Sequence, residues 1–146
     1  VPFPYRTHGT CIADYDRDGL PELAFVNGGP GWAEDTVREP NRLFDFNFIE
    51  PRQSVSLTLR GDGDHVNVDA VGSRVRLLVR NNERQETWSV HGHVLAGQGF
   101  ASMNALELLL GIGDADEIVS GQVWWPDGVR DDLPTLTPGQ TTEITR

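Results

Sequence analysis

Apolar and polar residues alternate over much of this chain with the period of two that marks a half-buried strand. Over Ser54–Arg60, Val55, Leu57 and Leu59 share one face, while Ser54, Ser56, Thr58 and Arg60 share the other. Ser73–Arg80 repeats the pattern, with Val75, Leu77 and Val79 against Arg74, Arg76 and Arg80. After the turn signal Asn81-Asn82 comes Arg84–His93, with Trp88 and Val90 on one side and Thr87, Ser89, His91 and His93 on the other. Glu117–Trp125 is apolar on both faces, as in a central strand. It ends at Pro126-Asp127-Gly128, a turn from which Val129–Leu133 returns as a hairpin. Gln140–Arg146 adds a Thr-rich strand. Ala101–Leu110 fits a short helix or a strand equally well, because Leu106, Leu108 and Leu110 are two apart. Many short strands at regular spacing predict an all-β fold: an antiparallel β-sandwich or barrel-like C-terminal domain.

The first forty or so residues differ. They are rich in glycine and acids and show one apolar strand, Leu23–Asn27. The change in texture near Pro40–Asp45 suggests two units, 1–45 and 46–146. The first would be a calcium-loop β-hairpin element preceding the sandwich.

That expectation rests on Asp14-Tyr15-Asp16-Arg17-Asp18-Gly19-Leu20-Pro21-Glu22, with acids at relative positions 1, 3, 5 and 9 and glycine at 6. Oxygen donors at this spacing can converge on one hard cation, with Gly19 taking a backbone angle that other residues resist. Two carboxylates about 5 Å apart repel by roughly 3 kcal/mol at an effective dielectric near 20, so an ion would turn strain into binding. The expected Ca²⁺ ligands are the side chains of Asp14, Asp16, Asp18 and Glu22 and the carbonyl of Leu20. An EF-hand is excluded, since position 12 is Phe25 and a strand follows. The plain alternative is a solvated acidic turn.

Composition narrows the function. The 146 residues carry a net charge of -10, so a phosphate backbone would be repelled and nucleic-acid binding is not expected. All 12 basic residues are arginine. No apolar stretch is long enough to span a bilayer, and the one cysteine, Cys11, cannot form an internal disulfide. The chain begins at Val1 without a charged-then-apolar leader, which reads as a processed product or a piece of something longer.

Other candidates have plainer readings. His91 and His93 could hold Zn²⁺ or Cu²⁺ with His65 or Asp64, or be ordinary surface histidines. Asp62, Asp64 and Asp69 with Asn67 could form a weaker calcium site, or a turn. Trp32, Trp88, Trp124 and Trp125 could make a sugar-stacking platform. Trp88 reads as core, and Trp124 and Trp125 must point to opposite faces. Ser89, Ser102 and Ser120 lack a nucleophile-elbow setting, so no enzyme is expected.

The acidic loop, from His8 to Asn27, resembles the calcium-binding element of the FG-GAP/VCBS repeat, with Glu22 where the final acid is usually Asp. From Ser54 onward the chain resembles the ASPIC/UnbV domain of cartilage-acidic-protein-like proteins. The likeness is carried by Asn67-Val68-Asp69-Ala70-Val71-Gly72-Ser73-Arg74-Val75, Gly111-Ile112-Gly113-Asp114 and Val123-Trp124-Trp125-Pro126-Asp127-Gly128. In that family the domain follows FG-GAP/VCBS repeats, the order seen here. The chain departs from it at Gly99-Phe100-Ala101-Ser102-Met103, where a Gly-Tyr-x-Ser-Gln stretch is usual. Together the resemblances imply an extracellular or cell-surface, calcium-associated, mostly β protein. The expected role is structural or adhesive, in a matrix, surface or filament assembly. Its partners would be other protein chains, copies of itself among them, through an exposed strand edge. The alternative role is glycan binding through Trp32 or Trp124.

Overall fold

The computed structural model describes residues 6–28, 39–46, 53–100 and 102–146. Among these there are ten strands and no helix: β1 Thr7–Ala13, β2 Glu22–Asn27, β3 Arg42–Phe44, β4 Gln53–Arg60, β5 Arg74–Asn81, β6 Glu86–His93, β7 Leu108–Gly113, β8 Glu117–Trp124, β9 Arg130–Asp132 and β10 Thr141–Thr145. They form three sheets, ordered β1-β2-β3, β10-β4-β7 and β6-β5-β8-β9. The all-β expectation holds as a sandwich; the sheets do not close into a barrel.

The core lies between the second and third sheets, where the predicted alternation is realised. Val55, Leu57 and Leu59 of β4 and Leu108, Leu110 and Ile112 of β7 meet Val75, Leu77 and Val79 of β5 and Val123 of β8. The Ala101–Leu110 ambiguity resolves as strand from Leu108 onward; Ala101 lies outside the described residues. The β8–β9 hairpin turns where expected. Gly128 has φ +89°, its amide donates to the Trp125 carbonyl at 3.0 Å, and Asp127 Oδ1 accepts the Val129 amide at 3.0 Å.

One pair departs from the antiparallel expectation. β10 runs parallel to β4, pairing Thr141–Thr145 with Ser56–Arg60. A parallel neighbour needs a crossover in place of a tight turn, and the segment after β9 provides it. Leu136 is buried on the way, and the Gly139 amide donates to the Ser54 carbonyl at 2.8 Å.

The N-terminal segment holds three strands where the sequence showed one. β1 escaped notice because Thr7–Ala13 is mostly small or polar, and β3 because it has only three residues. β1 and β3 are the outer strands of this sheet. β1 is bridged at Ile12, whose amide donates to Asn104 Oδ1 (3.0 Å) and whose carbonyl accepts from Ala105 (3.2 Å).

Candidate metal centre

β1 and β2 are antiparallel, with Ala13 opposite Glu22, so the eight residues between them form a long hairpin loop. Two residues in it take positive φ: Arg17 (63°) and Gly19 (89°). Gly19 is constrained twice. A Cβ there would stand 2.9 Å from Ser54 Oγ, and that hydroxyl donates to the Gly19 carbonyl at 2.6 Å. The loop is thereby fastened to β4 of the sandwich. Ser54, expected on a polar outer face, is buried beneath it.

The loop turns its carboxylates inward by hydrogen-bonding its own amides. Asp14 Oδ2 accepts from Gly19 (3.0 Å), Asp16 Oδ1 from Asp18 (3.2 Å) and Asp18 Oδ1 from Leu20 (2.8 Å). One oxygen from each of Asp14, Asp16 and Asp18 lies within 4.8 Å of the others. Ca²⁺–oxygen bonds of about 2.3–2.6 Å allow oxygens up to about 5 Å apart to share one ion. All-oxygen, carboxylate-rich donors suit a hard cation such as Ca²⁺, Mg²⁺ or Mn²⁺.

Glu22 falls outside this group of three. It is the first residue of β2, buried, and its Oε2 accepts the Tyr15 amide at 2.5 Å, closing the base of the loop. Its Oε1 and Asp14 Oδ1 are buried with no hydrogen-bond partner. An unmatched buried acceptor costs about 1–3 kcal/mol, more when charged, so a cation would satisfy what the protein leaves unsatisfied. Leu20 contributes an amide to Asp18, and its side chain faces a cavity of about 630 Å³ shared with Ile12, Pro21, Trp88 and Leu109.

The second acidic loop is built differently. Asp62 Oδ1 accepts the amides of Asp64 (3.0 Å), His65 (2.9 Å) and Val66 (2.9 Å), and Oδ2 meets His65 Nδ1 at 2.9 Å. The Val66 amide first, then His65, hold its carboxyl far below the usual carboxylate range. Asp69 stands 3.6 Å from Arg60. This loop is a self-capped turn, and Asp14, Asp16 and Asp18 are the one group of three or more metal-ligating side chains among the described residues. His91 and His93 are both exposed on β6 and gain no third ligand there.

The tryptophans divide as the two-face argument requires. Trp125 is buried, and its Nε1 donates to Asp131 Oδ2 at 2.7 Å. Trp124 lies on the opposite, outer face; Trp88 packs against the core; Trp32 lies outside the described residues.

The sandwich also carries the family assignment. The sequence model of the family described as ASPIC and UnbV matches residues 63–146. The chain belongs to the ASPIC/UnbV family. No curated protein and no solved structure matches it. The ASPIC/UnbV match spans β5 to β10 and begins just after β4. Yet β4 is the middle strand of its sheet, so the ASPIC/UnbV sandwich needs residues upstream of the matched region. No helix in the described residues is long and apolar enough to cross a membrane.

Proposed function

We propose that this chain is a calcium-stabilised extracellular structural or adhesive module that mediates protein–protein assembly. The observation that carries the reading is the convergence of Asp14, Asp16 and Asp18 beside two buried carboxylate oxygens without partners. Asp14, Asp16 and Asp18 hold the ion directly in this reading, while Glu22 supplies negative charge from below and Leu20 its carbonyl. The loop is of FG-GAP/VCBS type. Its ion fixes the geometry of the β1–β2 hairpin and, through Ser54, its seat on the sandwich. No catalytic role forms part of the reading.

Assembly is supported by the exposed apolar side chains of the N-terminal sheet. Ile12, Val26, Leu43 and Phe44 are 47%, 55%, 56% and 43% exposed. Such a concentration on a small sheet with outer edges suits coverage by another chain or another copy.

Calcium titration by calorimetry on the metal-free protein tests the ion, with a melting curve at each end point and sedimentation with and without Ca²⁺. One ion per chain, a raised Tm and calcium-dependent association are expected. Absence of binding with an unchanged melt would sink the calcium reading, and a strict monomer in both states would sink self-association. A second reading, carbohydrate binding, is favoured by the place of Trp124 in the wall of an outer-face cavity.

A further inference from the structure

The outer face of the four-stranded sheet collects positive charge that the rest of this acidic protein neutralises. Register places Arg74 opposite both His93 and Trp124, and Trp124 opposite Arg130. In the next row Arg76 lies opposite both His91 and Gln122. Directly opposed residues on one face have Cβ atoms about 4.5–5.5 Å apart, so Arg74 and Arg76 each stand beside a histidine of β6.

Five other arginines of the described residues are paired with acids. Arg6 meets Glu39, Arg60 meets Asp69 and Glu143, Arg80 meets Glu117, Arg84 meets Asp114 and Glu86, and Arg146 meets Asp127. No carboxylate of the described residues lies within ion-pairing distance of Arg74, Arg76 or Arg130. With 22 acids in the chain, Arg74 and Arg76 on β5 and Arg130 across Trp124 on β9 are without an acid partner by placement rather than scarcity. Of the nearest acids, Asp132 shares this face, opposite Gln122 in the row of Arg76. Asp132 is engaged by Gln122 Nε2 (3.0 Å), Asp131 by the Trp125 indole, and Asp14 and Glu107 lie across a neighbouring groove from His91 and His93.

Arg74, Arg76, His91, His93 and Trp124 line a cavity of about 310 Å³ on this face. That is at the lower end for a small-ligand site, about 300–1,000 Å³. We propose that this face binds an acidic glycan, a sugar chain bearing carboxylate or sulfate groups. The guanidinium forks of Arg74, Arg76 and Arg130 take the anionic groups in paired hydrogen bonds. The half-buried indole of Trp124 offers a flat face for the C–H side of a sugar ring, and the Gln122 amide a neutral partner for hydroxyls. An acidic peptide would use the cations but has no ring to lay on the indole. A nucleic acid would meet the repulsion of the whole chain's charge. The inference requires no bound metal.

The test is calorimetry at near-physiological salt with oligogalacturonate (carboxylate only), heparin oligosaccharide (sulfate and carboxylate), dextran (neutral), polyglutamate and single-stranded DNA. At least one acidic oligosaccharide should bind and dextran should not, and the first two probes tell carboxylate from sulfate recognition. The double variant Arg74→Gln/Arg76→Gln changes only exposed side chains and should weaken binding by about tenfold or more. Trp124→Leu, checked by its melt, should weaken glycan binding severalfold while leaving any polyglutamate binding unchanged. The proposal is overturned if neither acidic glycan binds, if polyglutamate or DNA binds as tightly as the glycans, or if the arginine variant binds as the parent does.

Discussion

Two three-stranded sheets in this protein have opposite interiors. In β10-β4-β7 the buried side chains include Val55, Leu57, Leu59, Leu108, Leu110 and Ile112. In β1-β2-β3 the buried positions are Gly9, Glu22 and Asn27, and every fully buried apolar side chain of the described residues lies between Val55 and Leu136. The N-terminal sheet is organised around polar hubs. The Asn27 side chain accepts from the Thr7 hydroxyl (2.8 Å) and donates to the Pro40 carbonyl (2.7 Å), and its backbone amide donates to Asn41 Oδ1 (3.1 Å). Arg6 and Glu39 add a paired contact between its ends. Apolar burial is non-directional and scales with area, so the sandwich stabilises itself. A polar hub is directional and holds only while each partner is present, so the N-terminal sheet depends on its loop.

The largest effect that can break this contrast is in the sandwich. Leu57→Ala opens a void among fully buried side chains and should cost about 2–5 kcal/mol, read from denaturant unfolding. Val26→Ala on the exposed face of β2 should cost about 0.5 kcal/mol or less. Equal costs would mean that the N-terminal sheet has an apolar core of its own.

Calcium comes next. At a free concentration 100 times its Kd, an ion that binds only the folded state adds about 2.7 kcal/mol. Hydrogen exchange should place that protection in β1 and β2, with β5 and β8 nearly unchanged. Asp16→Asn/Asp18→Asn should remove the calcium response and leave the metal-free melt close to that of the parent. Protection spread evenly over all three sheets would show the two regions to be one cooperative unit.

Glu22→Ala should act without any ion. It leaves the Tyr15 amide without its acceptor, at a cost of about 1–2 kcal/mol that the removal of the partnerless Glu22 Oε1 offsets in part, and loosens the loop from its base. The expected readout is faster exchange across Ala13–Leu23, with the urea midpoint of the sandwich moving little. If calcium binding survived this variant intact, Glu22 would be a structural clamp alone.

The same contrast explains what could be read in advance. Strict alternation gave away β4, β5 and β6, because one face of each meets an apolar core and periodicity is the imprint of that burial, while β8 was legible as an apolar run ending at a turn. β1 and β3 left no such imprint, since their sheet buries polar groups. The parallel seat of β10 was hidden because alternation reports which face is buried but not which neighbour lies alongside. In the acidic loop, spacing alone pointed to the convergence of Asp14, Asp16 and Asp18. It did not show that Glu22 also accepts the Tyr15 amide, which lies seven residues away in sequence and which only folding brings near. The cationic face was half visible: Arg74 and Arg76 were read as outward, but nothing in a linear sequence says that β8 and β9 bring Trp124 and Arg130 beside them.

The smallest expected effect concerns a loop that needs no ion. Asp62 and the Asp14 loop both use carboxylates to gather amides, but Asp62 spends its lone pairs on Asp64, His65 and Val66 and so is already satisfied. Those contacts hold its folded pKa well below the ordinary 3.8. A depressed carboxyl stabilises the fold above the unfolded pKa, and that contribution is lost as pH falls from about 4 toward the folded value. Asn at this position still accepts the amides but cannot titrate. Asp62→Asn should therefore lower the unfolding midpoint slightly at pH 7, with the gap from the parent narrowing as the pH falls below about 4. Calcium should shift both proteins equally. A gap that persists unchanged into acid would mean that the Asp62 charge contributes nothing, and a calcium response lost in Asp62→Asn would move the ion from the N-terminal loop to the sandwich.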